Sequence, residues 1–183
     1  MKHLRTILAI GIAIIVSLIV VMSSDKHHTT TPLPQTAAPQ TDTICLVFGG
    51  DLMQHMPQVE AARTEEGSYD YSRCTEYVAP IFRDADVAVL NLETTITATG
   101  RYSGYPCFAS PIELVDELSN MGIDIALLAN NHCCDRSARG ITTTIDELNK
   151  RAIAHTGVFT DSADYHQNNI YRFTTKGVRF ALV

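Results

Sequence analysis

The stretch Ala126-Leu-Leu-Ala-Asn-Asn-His-Cys-Cys-Asp135 changes character halfway along. Ile123 to Ala129 is an apolar run of the kind a buried strand requires. It breaks abruptly into Asn130, Asn131, His132 and Asp135 before a new helical pattern begins. The same break occurs twice upstream: Ile44-Cys-Leu-Val-Phe48 runs into Gly49, Gly50 and Asp51, and Val87-Ala-Val-Leu90 runs into Asn91-Leu-Glu93. In open α/β sheets, polar side chains directly after buried strands sit in the crevice beyond the strand carboxyl ends. Three strands therefore bring carboxylates, carboxamides and an imidazole to one sheet edge.

The intervening segments are helical or irregular. Pro57 suits the first turn of a helix carrying Val59, Ala61 and Ala62. Tyr77, Val78, Ile81 and Phe82 mark a helical face kinked at Pro80. Thr94 to Phe108 has no helical period and reads as a long loop or irregular strands. Ser110-Pro-Ile-Glu113 has the form of a capping box, opening a helix with Leu114, Val115 and Leu118 on its face and Gly122 at its close. Ile141, Ile145, Leu148 and Ala152 recur at helical spacing, and a short strand near Ile153 leads to His155. Ile170–Thr174 and Val178–Val183 alternate around Lys176-Gly177 as a hairpin. This order predicts an α/β domain with at least partly parallel pairing. The chain stops within the apolar run Phe180-Ala-Leu-Val183, so the domain is expected to be truncated at its carboxyl end.

Ahead of the domain lie two segments of different composition. In residues 1–23, Lys2, His3 and Arg5 precede the apolar run Ile7 to Met22. As a helix this run spans roughly 24 Å, against a hydrocarbon core of about 30 Å. It is read as an uncleaved membrane anchor, with a cleaved secretory signal as the alternative. Both place the remainder outside the cytoplasm, with the basic residues inside. Residues 24–43 contain Pro32, Pro34, Pro39 and a threonine run, a spacer that cannot bury a core. The domain is assigned to residues 44–183. Beyond Lys2 and Arg5, 12 basic side chains face 20 acidic ones, a balance that argues against nucleic acid as a partner. The five cysteines show no C-x-x-C spacing. Cys45 reads as a small core residue, and Cys133 and Cys134 as soft ligands, a vicinal disulfide or small turn residues.

Asp51, Glu93, Asn91, Asn131 and His132 form a hard-donor set suited to a divalent ion, with Mg, Mn, Fe and Zn all compatible. Such an ion polarises a phosphoryl or carbonyl oxygen, while His132 is placed to protonate a leaving group. Each residue alone has a plainer reading. Asp51 is suited to cap a helix, Glu93 to sit in a loop, and Asn130 and Asn131 to serve a turn. Asp135 fits a cap or an orienter of His132, His55 an exposed helical position, and His155 a turn or a substrate contact.

Gly49-Gly-Asp-Leu-Met53, Asn91-Leu-Glu93 and Ala129-Asn-Asn-His-Cys-Cys-Asp135 resemble the three amino-terminal motifs of the CapA-type poly-γ-glutamate capsule biosynthesis proteins. The segment Tyr105-Pro-Cys-Phe108 and the helix after Gly140 fit as well, so the resemblance covers residues 44–183. That family is similar to calcineurin-type metallophosphoesterases, which implies a β-sandwich flanked by helices around a metal site. By resemblance Asp51, Glu93 and Asn131 are metal ligands and His132 is the catalytic residue. Asn91, Asn130, Asp135 and His155 are further candidates. The implied role is in synthesis or export of a poly-γ-glutamate-type capsule, beside other capsule-synthesis membrane proteins and an anionic polymer. The superfamily's later histidine ligands have no counterpart before Val183. A metal-dependent phosphoesterase or hydrolase and a non-catalytic polymer-binding scaffold therefore stay open as alternatives.

Overall fold

The computed structural model describes residues 42–183, which form one compact unit. The expected anchor and spacer lie outside the described residues, and no described helix is long and apolar enough to cross a membrane. Four parallel strands lie in the order β1 (Leu46–Leu52), β2 (Val87–Leu92), β3 (Ile125–Leu127) and β4 (Ala154–Thr156). The connections carry α1 (Met56–Ala61), α2 (Ser72–Thr75), α3 (Ala79–Arg83), α4 (Glu113–Asn120) and α5 (Ser137–Lys150). After β4 come α6 (Ser162–Asn168) and an antiparallel hairpin of β5 (Tyr171–Thr175) and β6 (Val178–Leu182). The fold is thus α/β with a parallel sheet and helices.

Sequential strand order with connections of one hand carries all the helices on one face of a sheet. The two cores follow from that and from the period-2 alternation of strand side chains. Ala88, Leu90, Leu92, Ala126 and Leu128 face the helical side, packed with Leu114 and Leu118 of α4 and Ile145 and Leu148 of α5. Fully burying a leucine such as Leu118 or Leu148 is worth about 2 kcal/mol. Val87, Val89 and Ile125 point the other way, where Tyr171, Phe173 and Leu182 of the hairpin cover them. Lys176 fastens the hairpin turn to the start of β1, donating to Thr43 O at 2.9 Å and Asp86 Oδ2 at 2.8 Å. Asp86 is held below the usual carboxylate range by Lys176 and by the Cys45 amide.

Several local expectations are corrected. Cys45 is exposed and lies before β1, its amide donating to Asp86 Oδ2 rather than its thiol filling a core. The stretch expected as one face from Tyr77 to Phe82 is a turn after α2 followed by the start of α3. Pro80 sits in the first turn of α3, and Tyr77, Val78 and Ile81 are exposed. Ser110 caps nothing. It is fully buried, its hydroxyl pairing with Thr94 Oγ1 at 2.8 Å and its backbone bridging Thr95 and Thr97, so α4 starts only at Glu113. Competition from this long-range pairing removes the cap. Helix α6 was not expected; Asp161 caps it by accepting from the Asp164 amide at 2.8 Å. The segment after Glu93 is irregular, as expected, but its residues Thr94 to Thr97 are buried.

Glycine is required where β4 leaves the sheet. Gly157 has φ +107°, and a Cβ there would lie 2.4 Å from the Ala129 amide nitrogen. Gly157→Ala is expected to cost about 3 kcal/mol in urea unfolding, from backbone strain and collision together. Gly50→Ala, with no atom within 4 Å of the added carbon, should change stability by less than about 0.5 kcal/mol.

Candidate functional site

The site is assembled at the carboxyl edge of β1, β2 and β3. Strand β1 slips against β2 between Phe48 and Asp51, so that Gly49 and Gly50 together oppose Leu90. A Cβ at Gly49 would come within 3.0 Å of the Phe82 ring, which explains a glycine where α3 presses on the bulge. Bulges re-aim the residue that follows. Here the slip sets Asp51 opposite Asn91, whose Nδ2 donates to Asp51 Oδ1 at 2.9 Å. The same Nδ2 donates to Glu93 Oε2 at 3.0 Å. Two carboxylates from two strands thus converge on one amide nitrogen.

Asn130 links this pair to the histidine. Its Nδ2 donates to Asn91 Oδ1 and to the Leu92 carbonyl, both at 3.0 Å, and its Oδ1 accepts from the His132 amide at 3.0 Å. Because a backbone carbonyl only accepts and a backbone amide only donates, these two partners fix which way the Asn130 amide points. That in turn fixes Asn91 with its nitrogen toward the carboxylates. Asn131, the neighbour expected to be a ligand, is exposed and makes no side-chain hydrogen bond among the described residues.

His132 is 9% exposed and held on two sides. Its Nδ1 lies 2.8 Å from Asp135 Oδ2, and the Phe108 ring packs edge-on against it at 4.5 Å. Asp135 also accepts from the Phe108 amide at 2.6 Å, while the Phe108 carbonyl accepts from Thr95 Oγ1 at 2.7 Å. An ionised carboxylate only accepts, so in this pairing Nδ1 carries the hydrogen and Nε2 is the ring nitrogen turned toward Glu93. Nε2 is 4.0 Å from Glu93 Oε1. Asp135 is therefore an orienter of His132, not a cap. Phe108 is the residue that sequence reasoning noted only as part of a motif; its role needs the fold, because it lies 24 positions before His132.

Two expected residues stand apart. His55 precedes α1 and meets the other side of the Phe108 ring at 5.0 Å. His155 lies within β4, opposite Ala126, and lines a separate cleft with Asp164 and Asn168. It is not part of the network. Cys133 and Cys134 are free thiols with sulfurs 3.6 Å apart.

Two carboxylates facing a single amide donor leave negative charge uncompensated, and with the His132 imidazole beside Glu93 they offer donors that fit a hard divalent cation. Among the described residues, no three side chains of His, Cys, Asp or Glu gather in metal-holding geometry. The Asn91 and Asn130 oxygens are taken up within the network, so among the described residues the carboxamide left to complete the set is that of Asn131.

Residues 45–183 match the family described as bacterial capsule synthesis protein PGA_cap. The chain is also 35% identical over 78 residues to the probable polyglutamine synthesis accessory proteins of Mycobacterium tuberculosis strains CDC 1551 / Oshkosh and ATCC 25618 / H37Rv. That match takes in 42% of this chain and 20% of each relative's length.

The network makes two measurable predictions. Asn130→Ala strands the His132 amide and the Leu92 carbonyl, and should lower stability by about 2 kcal/mol in urea titration. Asn131→Ala should stay within about 0.5 kcal/mol of the parent. The second concerns His155, whose imidazole burial holds below its ordinary range, against a smaller opposing pull from Asp164. The unfolded chain then takes up the proton more readily, so this contribution is present above about pH 6.5 and lost as pH falls below it. His155→Gln should flatten the acid side of the stability profile between about pH 7 and 5.

Proposed function

The chain belongs to the bacterial capsule synthesis protein family, and we infer that it is a membrane-anchored, outward-facing component in the synthesis or export of a poly-γ-glutamate-type polymer. Its strand-end network holds a divalent metal ion in this reading, with Asp51 and Glu93 as the principal ligands, Asn131 as the carboxamide ligand, and Asn91 and Asn130 setting the carboxylates in place. The observation that carries the metal assignment is the convergence of Asp51 and Glu93 on the single Asn91 nitrogen. The relatives in Mycobacterium tuberculosis are named accessory proteins of polyglutamine synthesis. By that analogy this chain works beside other capsule-synthesis membrane proteins and an anionic polymer. Membrane attachment rests on residues 1–23, whose basic start and apolar run fit an anchor; secretion after cleavage is the alternative.

The finer fold belongs to the same reading. With the β5–β6 hairpin covering the second face of the parallel sheet, the arrangement is compatible with a metallophosphatase-like β-sandwich flanked by helices. A bound divalent ion supplies Lewis acidity toward a phosphoryl or carbonyl oxygen. His132, held by Asp135 through Nδ1, presents Nε2 as the proton-transfer atom beside Glu93. Phe108 shields the imidazole from one side and keeps it in orientation. This pairing favours metal-dependent hydrolysis of phosphoesters or similar bonds as the activity, over a purely scaffolding role.

Metal binding tests the assignment directly. The full chain titrated with Mn²⁺ should gain about 2.7 kcal/mol at a metal concentration roughly 100 times Kd, and retain metal on equilibrium dialysis. Asp51→Ala and Glu93→Ala should each abolish both effects. Unchanged metal retention in the double replacement would remove the metal site from this reading.

A further inference from the structure

One cleft beside the strand-end network has a charge opposite to that of the molecule. It lies between the segment after Thr95 and the first turns of α5, and encloses about 540 Å³. Arg101, Arg136 and Arg139 line it, with the hydroxyl-bearing side chains of Thr97, Thr99 and Thr143. No aspartate or glutamate does. None of the three guanidinium groups pairs with a carboxylate among the described residues, although the chain holds 20 acidic side chains. Among the described arginines only Arg151 pairs with carboxylates, those of Asp116 and Glu147, so what sets this cleft apart is that three cations gather around one space. Three like charges around one space repel each other, and an anionic ligand relieves that repulsion.

The cleft is shaped by its sequence. A Cβ on Gly140 would lie 2.5 Å from Arg136 Cβ and 3.2 Å from Thr95 Cγ2, so only glycine lets α5 close on the cleft floor. Arg136 is anchored by donation from Nη2 to Ser103 Oγ, while Arg101 and Arg139 are exposed. The planar guanidinium fork matches carboxylate oxygens in pairs. A space of this size falls within the range of about 300–1,000 Å³ that holds ligands of several functional groups. One isolated anion would leave most of it, and two of the arginines, unused.

We propose that this cleft binds a short run of an acidic polymer through successive carboxylates, with Arg101, Arg136 and Arg139 as the recognition residues. Arg136 directly follows Asp135, the residue that orients His132, so a bound run lies next to the strand-end network. The need for several anionic groups rests on the cleft alone; the choice of carboxylate over phosphate rests on the capsule-synthesis reading.

The test is a titration of fluorescently labelled γ-linked glutamate oligomer into the full chain in neutral detergent, made metal-free by passage over a chelating resin and followed by anisotropy. Removing metal beforehand separates the outcome from the metal site, whose failure would leave binding intact. Arg101→Gln and Arg139→Gln should each weaken binding by roughly threefold to tenfold, and the pair together by about the product. Binding should fall steeply with added salt. Arg73→Gln, which removes the same charge from an exposed position outside the cleft, should bind as the parent does. Circular dichroism would establish that the variants keep their fold. Equal binding of α-linked and γ-linked oligomers would support the polycarboxylate cleft while counting against a capsule-specific role. Undiminished binding by the double variant, no binding by the parent, or displacement by tripolyphosphate well below the oligomer's own Kd would overturn the proposal.

Discussion

The three hydrogen bonds of the Asn130 side chain decide the geometry of everything around them. One amide group ties the end of β2 to the turn after β3, and every partner has a fixed polarity. The Leu92 carbonyl and the His132 amide leave a single orientation for Asn130, and Asn130 leaves a single orientation for Asn91. The nitrogen of Asn91 must then face Asp51 and Glu93. Half-buried carboxamides are costly to leave unpaired, so this chain of bonds resists partial rearrangement. It acts as a rigid floor under two carboxylates and one imidazole.

That floor works only because the sheet delivers its parts in register. Parallel strands with sequential order place three carboxyl ends side by side, and the slip at Gly49 and Gly50 moves Asp51 opposite Asn91. Without the slip, Gly50 would pair with Asn91 and the Asp51 carboxylate would point to the other face, since a one-residue shift inverts the side of every side chain. Gly157 serves the same end from β4, passing so close to Ala129 that no larger residue fits where the turn begins. Packing on both faces then holds the strands, with leucines and alanines toward the helices and valines toward the hairpin.

Much of this was legible in the sequence, and what was not has physical reasons. The apolar runs ending in Asp51, Glu93 and His132 marked the site edge, because burial demands continuous apolar residues and the break is visible in one dimension. Which of Asn130 and Asn131 ties to the end of β2 was not legible: both suit a turn, and only the position of the Leu92 carbonyl across the sheet gives that bond to Asn130. Ser110 carried a correct local signal for a cap that a buried long-range partner, Thr94, outcompeted. Tyr77 and Ile81 had helical spacing without a core to meet, so periodicity misplaced them. Helix α6 is short and without a buried face, leaving only its Asp161 cap as a signal.

The distribution of charge gives these parts a common direction. Acidic and imidazole groups gather at the strand ends, while unpaired arginines gather in the neighbouring cleft, and the two regions share backbone. Glu93 leads into the buried segment that forms one cleft wall, and Asp135 leads into Arg136 on the other. Thr95 joins them again, its hydroxyl holding the Phe108 carbonyl while its methyl lies against the helix turn at Gly140. For the anionic ligand proposed above, the separation would resolve an electrostatic conflict: an acidic domain repels an anionic polymer at long range, yet within about a Debye length of 8–10 Å the local field of three arginines would prevail. Attraction confined to that distance favours a ligand already delivered along the surface over one captured from bulk solution.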